Sequence, residues 1–298
     1  MTYHETGFQI ADVPIRFLTP TPLSVEPAFE GYRAEISEAA VSCVFDEIKT
    51  LRPRLPGSIE MYNDGMHRIF WSDNCVQQYF YIPYMGAAPA AIRQPDLHQF
   101  LEDGEEEDMW LYYRPQAARY FSSVMGCFNA AKIERLLIRG QRLILHACFL
   151  EHQGKAIAFT GPSGIGKSTQ GSLWEQHMGA EVLNGDRMAF GMRGGVMTGF
   201  GLPVAGSSGV FTNRAVPLGC ITVLQQAKKN EIVRLPASQA LPLLMQQVTV
   251  NPWSSWYMDR AMTVLGQLLE SVPVYLLRAT PDAEAVQCLW EQLEKDWV

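Results

Sequence analysis

The chain has 298 residues, of which 47% are hydrophobic and 18% are charged. This composition is typical of a folded globular protein and excludes a disordered one, and the length is sufficient for two ordinary domains. The formal net charge is −7, and no run of five basic residues occurs, so we expect no nucleic-acid partner.

The six cysteines are scattered along the chain, and none lies two to four residues from another. This spacing excludes a zinc knuckle or a redox-active C-x-x-C pair and is typical of reduced thiols. The first residues lack the basic and apolar regions of a secretion signal. Because no apolar stretch of about 18 residues occurs, the sequence predicts no membrane span and a cytoplasmic location.

Residues 1–115 contain short β-prone segments that are interrupted by proline and by turn-forming residues. We therefore predict a β-rich N-terminal domain over this range, with a role in acceptor recognition or assembly. Two of its predicted strands, 61–71 and 75–84, flank the turn-prone triplet Ser72-Asp73-Asn74.

Two features of this domain have a structural and a functional interpretation. Tyr79, Phe80, Tyr81 and Tyr84 form an aromatic patch, which we interpret as sheet packing in preference to a binding platform. The acidic run 102–108 is interpreted as a solvated loop, with a metal or a cationic partner as the less favoured alternative.

Residues 116–298 are predicted to form a second domain that alternates helices and strands. The predicted elements are a mostly helical segment at 116–139 with an interruption at Gly126, strands at 142–150 and 181–186, a hairpin at 187–200, a strand at 218–224, helices at 237–248 and 254–270, and a strand at 273–278. Thr280 is predicted to cap the last helix, with Pro281 at its first position. The polar segment 201–209 is interpreted as a substrate-facing lid.

The most specific motif is Gly161-Pro-Ser-Gly-Ile-Gly-Lys-Ser168, which matches G-x-x-x-x-G-K-[ST] at every position. Its glycines let successive backbone N–H groups point into one concave nest for phosphates. Lys167 can reach the β- and γ-phosphates, and the Ser168 hydroxyl can ligate Mg²⁺. The predicted nucleotide-binding residues of this segment are Gly161, Ser163, Gly164, Ile165, Gly166, Lys167, Ser168 and Thr169.

The flanks of the motif support this interpretation over a chance glycine turn. Ala156 to Thr160 is a short apolar run, as a buried strand should be. Ser168 to Met178 contains no proline and ends before Gly179, a typical helix stop. Strand, glycine-rich loop and helix follow one another, which is the context in which the motif binds nucleotide.

Three further residues are candidates for chemistry. Asp186 ends the strand predicted after the helix that follows the glycine-rich loop. Proteins with this phosphate-binding loop place an aspartate near the metal at that point, so Asp186 is a candidate catalytic base and metal ligand. Arg187 and Arg214 are candidates for contacting phosphates, because a guanidinium fork suits phosphate oxygens. His146 lies in an apolar strand, so two interpretations stay open: a buried core histidine or a proton-transfer group.

Roughly half the chain resembles the catalytic domain of HPr serine kinase/phosphorylase and its bacterial relatives. The features that carry this resemblance are the loop, His146 at 15 residues before Gly161, and Asp186. The nucleotide-binding core of that family resembles phosphoenolpyruvate carboxykinase. The segments Gly199–Arg214 and Asn251-Pro-Trp253 resemble a branch of uncharacterised or peptide-modifying relatives more than the true HPr enzymes.

This chain departs from the family where Gly185, instead of a second acid, precedes Asp186. The family's segment for phosphorylase activity is not recognisable, and residues 1–115 match no named family. The resemblance implies an α/β P-loop kinase core, within an α+β chain, at 116–298. It implies His146, Lys167 and Asp186 as catalytic residues.

We therefore expect an enzyme that uses ATP and Mg²⁺ to phosphorylate a hydroxyl of a peptide, a small protein or a small molecule. The alternatives from other classes are a nucleotide-gated binding module and an NTPase that drives a partner. The oligomeric state stays open, with a homo-oligomer among the alternatives.

Overall fold

The computed structural model describes residues 2–36, 41–72, 75–82, 95–102, 108–204, 206 and 209–297. Large β-sheets and several helices give a mixed α and β fold, as the sequence predicts. The chain divides into two compact units: unit 1 comprises 1–140 and 251–259, and unit 2 comprises 141–250 and 260–298. The boundary predicted near residue 115 therefore lies inside unit 1.

Unit 1 is built on an eight-stranded sheet. Its strands are β1 (His4–Ile10), β2 (Val13–Thr19), β3 (Val41–Glu47), β4 (Ile59–Asn63), β5 (His67–Ser72), β6 (Cys75–Phe80), β7 (Leu97–Glu102) and β8 (Met109–Tyr113). The spatial order is β1-β2-β3-β8-β7-β6-β5-β4, in which β3 runs parallel to both β2 and β8. The predicted β-rich character of this region is confirmed.

The helices of unit 1 are short: α1 (Pro27–Glu30), α2 (Val124–Ala131) and α3 (Ile133–Leu137). The range 116–139 is mostly helical, but the interruption predicted at Gly126 is wrong: Gly126 lies inside α2, and the helical backbone is interrupted at Lys132, which takes a positive φ of 62°. Phe128 of α2 stacks on Phe29 at 5.0 Å and meets Phe17 edge-on at 4.7 Å. This aromatic core joins α2 to the N-terminal sheet, which explains why the unit extends past residue 115.

The predicted strand 61–71 is interrupted at Asp64–Met66, where the Asp64 carboxylate accepts hydrogen bonds from the backbone of Met66 and His67. Tyr79, Phe80 and Tyr81 are buried, in agreement with the sheet-packing interpretation. The predicted turn residues 73–74, Tyr84 and most of the acidic run, 103–107, lie outside the described residues.

Unit 2 contains a nine-stranded sheet system. Its strands are β9 (Leu143–His152), β10 (Lys155–Thr160), β11 (Glu181–Asn184), β12 (Arg187–Arg193), β13 (Val196–Gly201), β14 (Ala215–Gln226), β15 (Glu231–Arg234), β16 (Val248–Thr249) and β17 (Val274–Ala279). The remaining helices of the chain are α4 (Lys167–Met178), α5 (Ala237–Met245), α6 (Ser255–Ser271) and α7 (Ala283–Asp296).

Five strands of unit 2 close into a ring, because β10 pairs with β9 on one side and with β14 on the other. The circuit runs β10-β9-β12-β13-β14 and returns to β10. The first half of β9, up to His146, pairs with β12, and the second half, from Ala147, pairs with β10. The middle of β9 is therefore the point where these three strands meet.

α4 is held against the ring by Trp174, which is fully buried and contacts Phe159 of β10 at a ring distance of 6.2 Å. A Cβ on Gly171 would lie 2.6 Å from the Cys148 sulfur, so only glycine lets α4 approach β9 this closely. Gly179 ends the helix in the left-handed conformation, as predicted. This packing fixes the direction of α4 and hence the position of its N-terminus.

The last helix begins later than predicted. The Asp282 carboxylate, and not the Thr280 hydroxyl, accepts hydrogen bonds from the backbone of Glu284 and Ala285. A carboxylate also suits the positive end of the helix dipole. All six cysteines are free, and no helix in the described ranges is long and apolar enough to cross a bilayer.

Candidate active site

The glycine-rich loop, residues 161–166, connects β10 to α4. Gly161, Gly164 and Gly166 have φ values of 144°, 77° and 115°, a region that side chains rarely adopt. A Cβ at Gly164 or Gly166 would meet nothing within 4 Å, so the loop presents open space above its backbone. No side chain caps the N-terminus of α4. The geometry of the loop and of the helix N-terminus therefore suits the binding of an anion by backbone N–H groups.

Lys167 is the first residue of α4 and is 8% exposed. Its ammonium donates hydrogen bonds to the carbonyl oxygens of Gly161, at 2.8 Å, and Pro162, at 3.1 Å. Burial lowers the pKa of Lys167, and the nearby Asp186 carboxylate opposes that shift. The lysine therefore spans the loop and lies within electrostatic range of Asp186.

A cleft of about 390 Å³ adjoins the loop on the side of the parallel strands β14 and β17. It is lined by Gly164–Gly166, Thr169, Gln170, Leu224–Ala227 and Ala279–Pro281. Gln170 is 3% exposed, and its amide oxygen has no hydrogen-bond partner among the described residues. The wall is largely apolar with a few amides, which suits a flat, polar-edged ligand such as a nucleoside.

Strand register brings His146 to the start of the glycine-rich loop. His146 pairs with Arg187 of β12, and its neighbour Ala147 pairs with Thr160, the last residue of β10. The Thr160 hydroxyl donates to the His146 carbonyl at 2.8 Å. The imidazole is 36% exposed, so it is not part of the buried core.

Asp186 lies between His146 and Arg187. Its two carboxylate oxygens are 3.5 Å from His146 Nε2 and 3.3 Å from Arg187 Nε. Burial lowers the pKa of His146, and the Lys167 ammonium lowers it further, against the opposing effect of Asp186. The lowered pKa favours the neutral imidazole, which is the form that can accept a proton.

Gly206 lies directly over Asp186. A Cβ at this position would be 2.6 Å from the carboxylate carbon, and the φ of Gly206 is +54°. Part of the predicted lid is thus in close contact with the candidate base, while residues 205, 207 and 208 lie outside the described part of the chain.

Arg214 is not brought to this site. Its guanidinium pairs with Glu181, at 2.5 Å, and with Glu151. Glu151 pairs with Ala156 at the start of β10, whereas the loop follows the end of β10, about 13 Å further along at the usual rise per residue. The phosphate contact predicted for Arg214 is therefore corrected to a bridge between β9 and β11.

The described residues contain no cluster of three or more His, Cys, Asp or Glu side chains that could hold a metal. Mg²⁺ is commonly bound by one or two carboxylates together with phosphate oxygens and water. The exposed Ser168 hydroxyl and the Asp186 carboxylate, 27% exposed, fit such a site.

Sequence reasoning missed the cleft, Gly206 and the amide of Asn184. The cleft was foreseeable, because β10, β14 and β17 are parallel and ligands bind where parallel strands end. Asn184 is fully buried, and its amide contacts the backbone of Asp186. The sequence offered no signal for this contact, since it depends on the turn between β11 and β12.

No protein-family model matches the chain, and no curated protein matches it in sequence. Among solved structures, the HPr(Ser) kinase/phosphatase from Coxiella burnetii is a weak match, with a TM-score of 0.31 and 11% sequence identity. The match covers 51% of this chain and 97% of that chain.

Proposed function

We propose that the protein is a phosphotransferase that moves the γ-phosphoryl group of ATP to a hydroxyl acceptor. One observation carries the proposal: the glycine-rich loop with Lys167 and the pair His146–Asp186 meet at the junction of β9, β10 and β12. A binder needs only the loop, whereas phosphoryl transfer also needs a group that accepts a proton.

The donor would bind along the loop. Backbone N–H groups of the loop and of the α4 N-terminus would hold the phosphates, and Lys167 would exchange its bonds to Gly161 and Pro162 for the β- and γ-phosphates. The nucleoside would occupy the cleft beside the loop. Ser168 and Asp186 would hold Mg²⁺, which supplies charge neutralisation on the phosphates when bound.

The acceptor hydroxyl would approach Asp186. As its oxygen forms a bond to the γ-phosphorus, the bond from that phosphorus to the bridging oxygen breaks, and ADP leaves with the electron pair. The hydroxyl proton passes to the Asp186 carboxylate or to His146 Nε2, which lie 3.5 Å apart. Arg187 is 47% exposed beside them and can balance the phosphoryl charge.

The acceptor class is a Ser or Thr of a peptide or small protein, or a small metabolite, and unit 1 is the proposed recognition or assembly unit. Incubation of the full chain with Mg²⁺, γ-labelled ATP and fractionated lysate tests the function. A labelled acceptor that appears together with ADP is the expected result.

The alternatives give different patterns in the same assay. A nucleotide-gated binding module would bind ATP without releasing ADP. An NTPase that drives a partner would release ADP and labelled phosphate with no labelled acceptor. Either pattern, across all fractions, would contradict phosphoryl transfer.

A further inference from the structure

Asn184, the last residue of β11, is fully buried beside the candidate base. Its amide oxygen accepts hydrogen bonds from the backbone N–H groups of Asp186 and Arg187, both at 2.9 Å. Its amide nitrogen donates to the carbonyl oxygens of Leu202, at 3.0 Å, and Val204, at 2.8 Å. All four hydrogen-bonding positions of the side chain are therefore used.

These four bonds join two pieces of chain that are distant in sequence. One is the turn from β11 to β12, which carries Asp186. The other is the segment after β13, which leads to Gly206 above the Asp186 carboxylate. The Asp186 carbonyl also accepts from the backbone of Ala147, beside His146. Asn184 thus holds the turn and the segment after β13 directly, and the backbone of Asp186 links the turn to β9 beside His146.

We propose that Asn184 is a positioning residue for phosphoryl transfer, which sets the Asp186 carboxylate against His146 and holds the segment after β13 above it. This inference rests on the function proposed above. Asn184 does not touch the reacting atoms, so it acts only through Asp186. A buried side chain with every bond satisfied holds its neighbours more rigidly than a loop contact does.

Only an amide of this length can make the four contacts. It presents two acceptor sites and two donors on adjacent atoms, whereas a carboxylate has acceptors only. Asn184→Asp therefore keeps the contacts to Asp186 and Arg187 and places an oxygen against the carbonyls of Leu202 and Val204. Asn184→Ala removes all four contacts.

The test compares wild type, Asn184→Ala and Asn184→Asp with Leu183→Ala as the matched control. Leu183 is the preceding residue of β11 and is also fully buried, so its truncation destabilises the same strand. Three quantities are measured on the full chain: affinity for a non-hydrolysable ATP analogue with Mg²⁺, the single-turnover rate of γ-phosphoryl transfer from ATP in the acceptor-containing fraction, and amide hydrogen exchange of the turn 185–187.

We expect Asn184→Ala to keep analogue affinity within about threefold, because the glycine-rich loop is intact. The turnover rate should fall about 10²-fold, the effect of misplacing a reacting group by about 1 Å. Exchange at Asp186 and Arg187 should accelerate. Leu183→Ala should keep the rate per folded molecule. If Asn184→Ala does not fold, Asn184→Asp should show the rate loss with the two amides still protected.

Turnover by folded Asn184 variants at the wild-type or Leu183→Ala rate would overturn the positioning role and leave the proposed function standing. A wild-type protein that neither binds the analogue nor labels an acceptor would instead overturn the proposed function, and the positioning role of Asn184 with it. The two failures are therefore distinguishable in one set of measurements.

Discussion

Replacement of His146 by glutamine distinguishes a proton-transfer role from a packing role. The backbone at this position is held independently of the side chain, since the His146 N–H donates to the Gln247 carbonyl at 3.0 Å and its carbonyl accepts from Thr160. The imidazole is 36% exposed, and its Nε2 lies 3.5 Å from the Asp186 carboxylate, a contact that is an ion pair only when the ring is protonated. Partly exposed pairs of this kind contribute only about 0.2–1 kcal/mol to stability.

At about 2–4 °C per kcal/mol for a domain of this size, His146→Gln should lower Tm by at most about 4 °C. The transfer rate should fall by about 10²-fold or more, the range for removing a general base. Both are measured on one preparation, by thermal melting and by single-turnover transfer from γ-labelled ATP.

His152→Gln is the matched control, because it removes the same ring from the same strand. His152 is 8% exposed and meets the rings of Trp174 and Trp290 edge-on, at 5.5 and 5.0 Å. Loss of two such contacts, at about 0.5–1.5 kcal/mol each, should lower Tm by roughly 2–12 °C without changing the rate per folded molecule. A His146→Gln variant that is destabilised but fully active would refute the proton-transfer role.

Three further variants test separate parts of the account. Lys167→Ala should weaken binding of the ATP analogue about 10- to 100-fold and abolish turnover while the fold is retained. Lys155, at the opposite end of β10, is the control, and Lys155→Ala should change neither quantity. Unchanged analogue affinity of Lys167→Ala in calorimetry would contradict nucleotide binding by the loop. Gly206→Ala should slow transfer about 10²-fold, because its Cβ meets Asp186. Gly209 also has a positive φ, but a Cβ there meets open space, so Gly209→Ala should not slow transfer; equal rates for the two variants would contradict the contact. Burial lowers the pKa of His98 to about 4, whereas the same histidine in the unfolded chain titrates near 6.5. As pH falls from 7 to 5, the unfolded chain therefore binds a proton that the folded chain does not, and the free energy of unfolding falls by about 2 kcal/mol. Urea midpoints should show this loss of stability, and the same loss in His98→Gln would mean that another group causes it.

The sequence predicts the elements of unit 2 well where local signals are strong. The glycine-rich loop, the helix that ends at Gly179 and the strand that precedes Asp186 all follow from residue type and spacing. The spacing of His146 from Gly161 indicates a hairpin that places the histidine near the loop, and the register of β9 with β12 brings it to Asp186. The pairing of β9 with β12 is not encoded in local periodicity, so the sequence alone does not determine the distance between the two side chains.

The failures have similar causes. Arg214 is a candidate because its guanidinium fork suits phosphate oxygens, but that fork suits carboxylates as well, and its two carboxylate partners determine its position. The helical prediction over 116–139 lacks the break at Lys132, where φ is positive, because no glycine or proline marks this position in the sequence. The domain boundary was misplaced because α2 is joined to the N-terminal sheet by aromatic contacts between residues far apart in sequence.

The central claim is that this site transfers phosphate to a hydroxyl, and single-turnover transfer by wild type and Asp186→Asn tests it most directly. With γ-labelled ATP, Mg²⁺ and the acceptor-containing fraction, wild type should yield labelled acceptor and ADP in equal amounts. The nucleotide affinity of Asp186→Asn should stay within about tenfold of wild type, and its transfer rate should be at least ~10²-fold lower. Equal transfer rates for the two proteins, or ADP release with no labelled acceptor in any fraction, would contradict the account.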